Sequence, residues 1–126
     1  RSSDHAMNLM RLAMERIEKN ATLSEKADQE LEELFTQVMK ILDTSLEGLE
    51  EWGIPDSIMR LLEAEEQRVD DNTEALRKKH IDRLKEKKCT PKSGVIFLEA
   101  INNFERVADH AMNIAGLARE DALHAH

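Results

Sequence analysis

Apolar residues recur every three or four positions along almost the whole chain, which is the period of amphipathic helices. A first, short helix reads from about Ser3 to Lys19, with Ala6, Leu9, Met10, Ala13, Met14 and Ile17 on one face. Residues 20–23 form a connector. Ser24 is a good N-cap, and Glu25 and Asp28 place negative charge at the positive end of the helix dipole. The second helix then runs to about Glu51 on a stripe that begins Leu31, Leu34, Phe35, Val38 and continues through Ile41, Leu42, Ser45, Leu46 and Leu49. Trp52-Gly53-Ile54-Pro55 is the clearest break, because Gly53 can adopt a left-handed cap and Pro55 cannot continue a helix. Asp56 or Ser57 is expected to cap a third helix reaching about Lys87. Its apolar face is Ile58, Leu61, Leu62, Val69, Leu76, Ile81 and Leu84, and it thins between Leu62 and Leu76. There Glu65, Glu66, Asp70, Asn72 and Thr73 fall near positions that should be apolar. Thr90-Pro91 supplies a cap with proline at the first helical position. The fourth helix runs from there to about Leu123, with a stripe of Val95, Leu98, Ile101, Phe104, Ala108, Met112 and Ala115. Short connectors make successive helices antiparallel. The pattern predicts an all-α, up-and-down antiparallel bundle of one short and three long helices.

Composition narrows the function classes. The length, 126 residues, suits one compact domain. Gly 4, Pro 2 and no Tyr disfavour a β-sandwich or barrel. A single Cys excludes a disulfide framework and a four-cysteine zinc site. No run approaches the ~20 apolar residues of a membrane span, and the first residues do not show the charged-then-apolar pattern of a signal sequence. The net charge of −8 argues against a nucleic-acid partner, and a soluble, cytosolic domain is the expectation. No phosphate loop, Rossmann glycine fingerprint or nucleophile elbow occurs, and Cys89 is a lone cysteine without His and Asn partners. The chain therefore reads as a non-enzyme.

The chain contains an internal repeat. Residues 1–13 laid on 106–118 give eight identities in thirteen, with Asp-His-Ala-Met-Asn shared by both copies, where average composition gives about one. The constant offset, 105, is about three helices and their turns. Residues 1–20 are thus expected to be the tail of one three-helix repeat, with its first motif cut short, and residues 21–126 a complete repeat. On that reading the chain is a piece of a longer protein whose missing part lies N-terminal. Its first two helices would then expose apolar faces and drive association, expected as a two-fold homodimer.

The repeated motif carries oxygen ligands. Residues four apart share a helix face, so Glu105 and Asp109 project together, with Asn102 and Asn113 a turn to either side. Asp4 and Asn8 repeat this in the first helix. Carboxylate and amide oxygens suit Mg, Mn, Fe(II) or Zn, and Glu65, Glu66 and Asp70 of the third helix could complete the shell. Solvated acids on exposed faces are the plainer reading of the same spacing. His5 and His110 sit about 100° away from their neighbouring aspartates and are expected to pack or bond elsewhere. His80 is expected at the surface or near the helix C-terminus, and His124 and His126 in a frayed tail. Residues 77–88 hold seven Lys/Arg against Asp82 and Glu86. That segment could meet anionic lipid headgroups, or simply be a solvated helix end.

Residues 103–115, Asn-Phe-Glu-Arg-Val-Ala-Asp-His-Ala-Met-Asn-Ile-Ala, resemble the Glu-Arg-x-x-Asp-His-x-x-Asn-Ile motif of PhoU-like proteins. His80, Leu84 and the Cys89-Thr90-Pro91-Lys92-Ser93-Gly94-Val95-Ile96-Phe97 turn further resemble the C-terminal PhoU-like domain of bacterial Na+/phosphate cotransporter family proteins. The resemblance implies a PhoU-like bundle of two three-helix units and a role in regulating phosphate uptake. It also implies multinuclear iron or zinc held by acidic motifs. Carried over by position, Glu105 and Asp109 are the foremost metal ligands, Asp4 is the surviving aspartate of the first motif, and Asp70 is an acidic position of the middle helix. The implied setting is the cytoplasmic side of the bacterial inner membrane, with the transporter portion of the same protein as partner. Two alternatives stand beside it: a metal-free interaction or dimerisation module, and a stand-alone phosphate-signalling adaptor.

Overall fold

In the computed structural model the described residues are 2–20, 23–51, 53–88 and 90–124, with side chains described from Asp4 to Arg119 within those spans. The readings made at Trp52, Cys89, His124 and His126 lie outside the described residues and side chains. Among the described residues there are four helices: α1 (Ser2–Asn20), α2 (Glu25–Glu50), α3 (Asp56–Lys85) and α4 (Pro91–His124). Among the described residues no helix is long and apolar enough to cross a membrane.

The helix ends follow local chemistry. The Ser24 hydroxyl accepts from the Ala27 N–H at 3.1 Å and starts α2. The Thr90 hydroxyl accepts from the Ser93 N–H at 3.2 Å and starts α4, with Pro91 at its first position. The N-cap of α3 is Pro55, without a side-chain cap bond, in place of the Asp56 or Ser57 expected. Pro55 fixes an extended exit from the turn, so Asp56 is already helical. After α2, the Gly53 N–H closes on the Gly48 carbonyl at 2.7 Å, and Gly53 adopts φ 130°. This swings Ile54 over Gly48, where an added Cβ would lie 2.2 Å from Ile54 Cγ1. Helix α3 ends in a Schellman motif: Lys88 N–H bonds the Arg83 carbonyl at 2.8 Å and Lys87 N–H bonds the Leu84 carbonyl at 3.1 Å. Lys87 occupies the left-handed position at φ 58°, where glycine is usual.

Cross-helix pairs give the topology. Gln37–Asn72 and Glu30–Arg83 make α2 and α3 antiparallel, and Glu105–Thr73 with Asn102–Arg77 do the same for α3 and α4. Arg11 pairs with Glu32 while Glu18, further along α1, lies beside Asp28, earlier on α2, so α1 is antiparallel to α2. Helices α2 and α4 run parallel and share the largest interface, with Phe35 and Phe104 edge to face at 5.8 Å. Alanines 100, 108, 111, 115 and 118 are buried along α4 and let it approach α2 closely. Helix α1 lies on the outer side of α2, held by fully buried Met14, the partly buried Met7, Met10 and Ile17, and Arg11 over the Phe35 ring at 4.3 Å.

The up-and-down bundle is as expected, but the stripes are rotated. Leu9 on α1 (55% exposed), Leu61 and Ile81 on α3 (62% and 46%) and Val95 on α4 (54%) face outward rather than into the core. Their neighbours Met10, Leu62, His80 and Phe97 turn inward instead. The thin stretch of α3 is filled by Val69 and Thr73, both fully buried.

Candidate functional site

The α3–α4 interface gathers the acidic residues. Glu66, Asp70, Thr73 and Arg77 follow one another at helical spacing along α3. Antiparallel register sets them against Asp109, Glu105 and Asn102 of α4. Glu105 is the most constrained member. Its Oε1 pairs with the Arg77 guanidinium, and its Oε2 accepts from the buried Thr73 hydroxyl at 3.1 Å. That hydroxyl has one proton and can instead donate to the Asp70 carbonyl at 2.9 Å. The same Arg77 Nη2 also donates to Asn102 Oδ1 at 2.7 Å.

The remaining carboxylates crowd one another. Burial raises the Glu66 pKa above the ordinary 4.5, and the charges of Asp109, Asp70 and Glu63 raise it further. Asp70 is raised above 3.8, first by desolvation and then by Glu105, Asp109 and Asp71. Asp70 nevertheless stands open to water, which screens much of that effect, so half-buried Glu66 bears the stronger strain. Glu66 Oε2 is buried and has no hydrogen-bond partner among the described residues.

This arrangement sorts the expected ligands. Glu105, Asp109 and Asp70 come together, and Glu66 joins them from the acid-rich segment. Glu65 does not, because it turns to Arg68 at 2.6 Å and Lys40 at 3.9 Å. Asp4 is exposed on α1, whose main packing partner is α2. His5 and His110 are exposed, so the packing expected of them is not found. Sequence reasoning missed Arg77 as the counter-ion of Glu105, although its spacing from Glu66, Asp70 and Thr73 was the signal available.

The donor chemistry suits a hard cation: carboxylate oxygens in excess, one of them buried and unpartnered. The present side-chain positions are another matter. Among the described residues no three His, Cys, Asp or Glu groups converge on one point, and both Glu105 oxygens are already engaged. A bound ion would require Glu66, Asp70 and Asp109 to change rotamers.

His80 corrects an expectation. It is buried, 2% exposed, not at the surface, and its ring stacks on Phe97 at 4.8 Å and 17°. Gly94 makes room for it, since a Cβ there would lie 2.8 Å from His80 Nε2. Burial lowers the His80 pKa below 6.5, Arg83 lowers it further, and the Gly94 backbone partly opposes this.

No curated protein and no solved structure matches the chain. The family model described as PhoU domain matches residues 31–118, which takes in most of α2, all of α3 and most of α4, including the whole acidic face. Domains of that family are regulatory rather than catalytic and point to phosphate homeostasis. With more than half its length matched, and with the acidic motif helix lying inside the match, the chain belongs to the PhoU domain family.

Proposed function

We propose that this domain regulates phosphate uptake as the PhoU unit of a Na+/phosphate cotransporter-like membrane protein. It would act on the cytoplasmic side of a bacterial inner membrane, with the transporter portion as partner. The acidic α3–α4 face would be its metal-responsive element. The observation that carries this is the crowding of Glu66, Asp70, Glu105 and Asp109 across two helices against the single guanidinium of Arg77.

The residues divide the work. Arg77 neutralises Glu105 and ties α3 to α4 through Asn102. Glu66 and Asp70 hold protons more readily than ordinary carboxyls, because ionising all four groups at once is unfavourable. A divalent cation, iron or zinc by the resemblance, would supply the positive charge that lets these carboxylates stay ionised together. Ligation would draw Glu66, Asp70 and Asp109 toward one another and change the outer surface between α3 and α4. That surface is where a transporter segment could read the state of the domain.

A metal-free docking module is the second reading, favoured by the saturation of both Glu105 oxygens by protein groups. Elemental analysis of untagged protein, with E105A and D109A alongside, separates the two. Near-stoichiometric iron or zinc that disappears in the variants supports the metal-responsive reading; folded variants and no metal anywhere support the docking module. The homodimer stays part of the proposal. Leu9 and Leu12, 55% and 60% exposed on α1, support it. Light scattering at tens of micromolar should give a dimer mass, and a monodisperse monomer would remove it.

A further inference from the structure

Arg77 is a cation that the acidic face already carries. It stands on α3 one turn past Thr73, level with Glu105 of α4, and among the acids of this face it pairs with Glu105 alone. From the other side the charge of Glu105 acts on Asp70, and so does that of Asp109. One carboxylate is thus held by a guanidinium on one side and crowded by carboxylates on the other.

Each group that Glu105 would leave has a second partner in place. The fully buried Thr73 hydroxyl donates either to Glu105 Oε2 at 3.1 Å or to the Asp70 carbonyl at 2.9 Å. Turning Glu105 away therefore strands no buried donor, which is the usual penalty for breaking such a bond. Arg77 keeps Asn102 Oδ1 at 2.7 Å, and its side chain is 34% exposed, so water reaches the rest of the guanidinium. Glu105 is only 27% exposed and gains by turning only where another positive charge receives it. The network thus has two arrangements, and the one adopted depends on which cation Glu105 serves.

On the metal-responsive reading of this face, we propose that Arg77 is a latch: it holds Glu105 closed in the metal-free domain, and a divalent cation binds only by taking Glu105 from it. Glu105 exchanges one cation for another. Arg77, kept on Asn102, then turns its charge to the outer surface between α3 and α4. The competition makes the site weaker than its carboxylates alone would be, so it responds to a change in cation level rather than staying filled. Without Arg77 the same carboxylates would bind more tightly and free no charge at the surface.

The test is calorimetric titration of the folded 126-residue chain with Mn2+, as wild type, R77Q and K78Q, with circular dichroism checking that each variant folds. R77Q should tighten Mn2+ binding about fivefold to tenfold, the range of a partly exposed ion pair. K78Q removes the same charge one residue away, from a lysine paired with Glu74 at 3.5 Å, and should leave the affinity unchanged. A second measurement needs no variant to fold. In side-chain 15N spectra of the wild type, diamagnetic Zn2+ should release the Arg77 guanidinium into fast exchange with water while the helix amides persist. Equal Mn2+ affinity in wild type and R77Q, equal tightening in K78Q, or an Arg77 signal unmoved at saturating Zn2+ overturns the latch and leaves the cation site standing. Mn2+ bound by R77Q but not by wild type supports the latch. Mn2+ bound by neither overturns both the latch and the metal reading.

Discussion

The two ends of the α3–α4 pair hold opposite surpluses. In the middle, Glu66, Asp70, Glu105 and Asp109 are short of positive charge, and Arg77 supplies only part of it. Two turns further along α3, His80 Nε2 and Arg83 Nη1 have no hydrogen-bond partner among the described residues. Both groups are stabilised by the same bundle, yet neither is satisfied by it. Unspent polar capacity of opposite sign, repeated along one helix, is what a domain that answers to ions would display. A domain built only for packing would have replaced Thr73 and His80 with apolar side chains of similar size.

The largest expected break in this comparison comes from Gly94. Gly94→Ala would drive a Cβ to 2.8 Å from His80 Nε2 and 3.2 Å from Leu84 Cδ2. Such overpacking costs about 1–3 kcal/mol. Denaturant melts should show that loss, with the acidic face keeping its titration behaviour. Arg77→Ala should cost about 1 kcal/mol, since its ion pair is only partly shielded. It should also push the Asp70 and Glu66 titrations further up, as read by side-chain carboxyl NMR.

A smaller effect is in the pH dependence of stability. Glu66 and Asp70 have folded-state pKa values raised above 4.5 and 3.8, so the folded chain binds more protons than the unfolded one in that range. Their contribution is present below those ordinary values and is lost as pH rises through the raised ones. Melting temperature should therefore fall with rising pH across that window, and E66Q should flatten the fall. The smallest effect concerns α1. Glu18 is pushed up to about 7 by burial and by Glu32 and Asp28 across the α1–α2 contact. Docking of α1 should loosen as pH rises from 4.5 to about 7, and hydrogen exchange along α1 should speed up accordingly, while E18Q should hold it constant.

Much of this was legible in the sequence because it is local. Ser24 and Thr90-Pro91 mark helix starts whose bonds close within three residues, and Gly53-Ile54-Pro55 marks a break that needs no distant partner. The grouping of Glu105 with Asp109 followed from helical spacing alone. What could not be read depends on partners from other helices. Leu61 and Leu62 are equally apolar and 100° apart, and only the placement of α2 and α4 decides which is buried. His80 goes inside because Phe97 offers a stacking face and Gly94 offers space, both on α4. Arg77 joins Glu105 because antiparallel register brings residues 77 and 105 level. Asp4 repeats the motif in sequence, yet its helix docks on α2, a pairing that the repetition did not announce.

The central claim is that the α3–α4 carboxylates form a cation-responsive face. Titration of 15N-labelled protein with Mn2+ tests it most directly, because paramagnetic broadening reports proximity to the ion. Broadening at substoichiometric Mn2+, centred on the amides of Glu66, Asp70, Glu105 and Asp109 and abolished in D70N/D109N, is the predicted result. Broadening spread over exposed acids in proportion to their exposure, or unchanged in D70N/D109N, would contradict it.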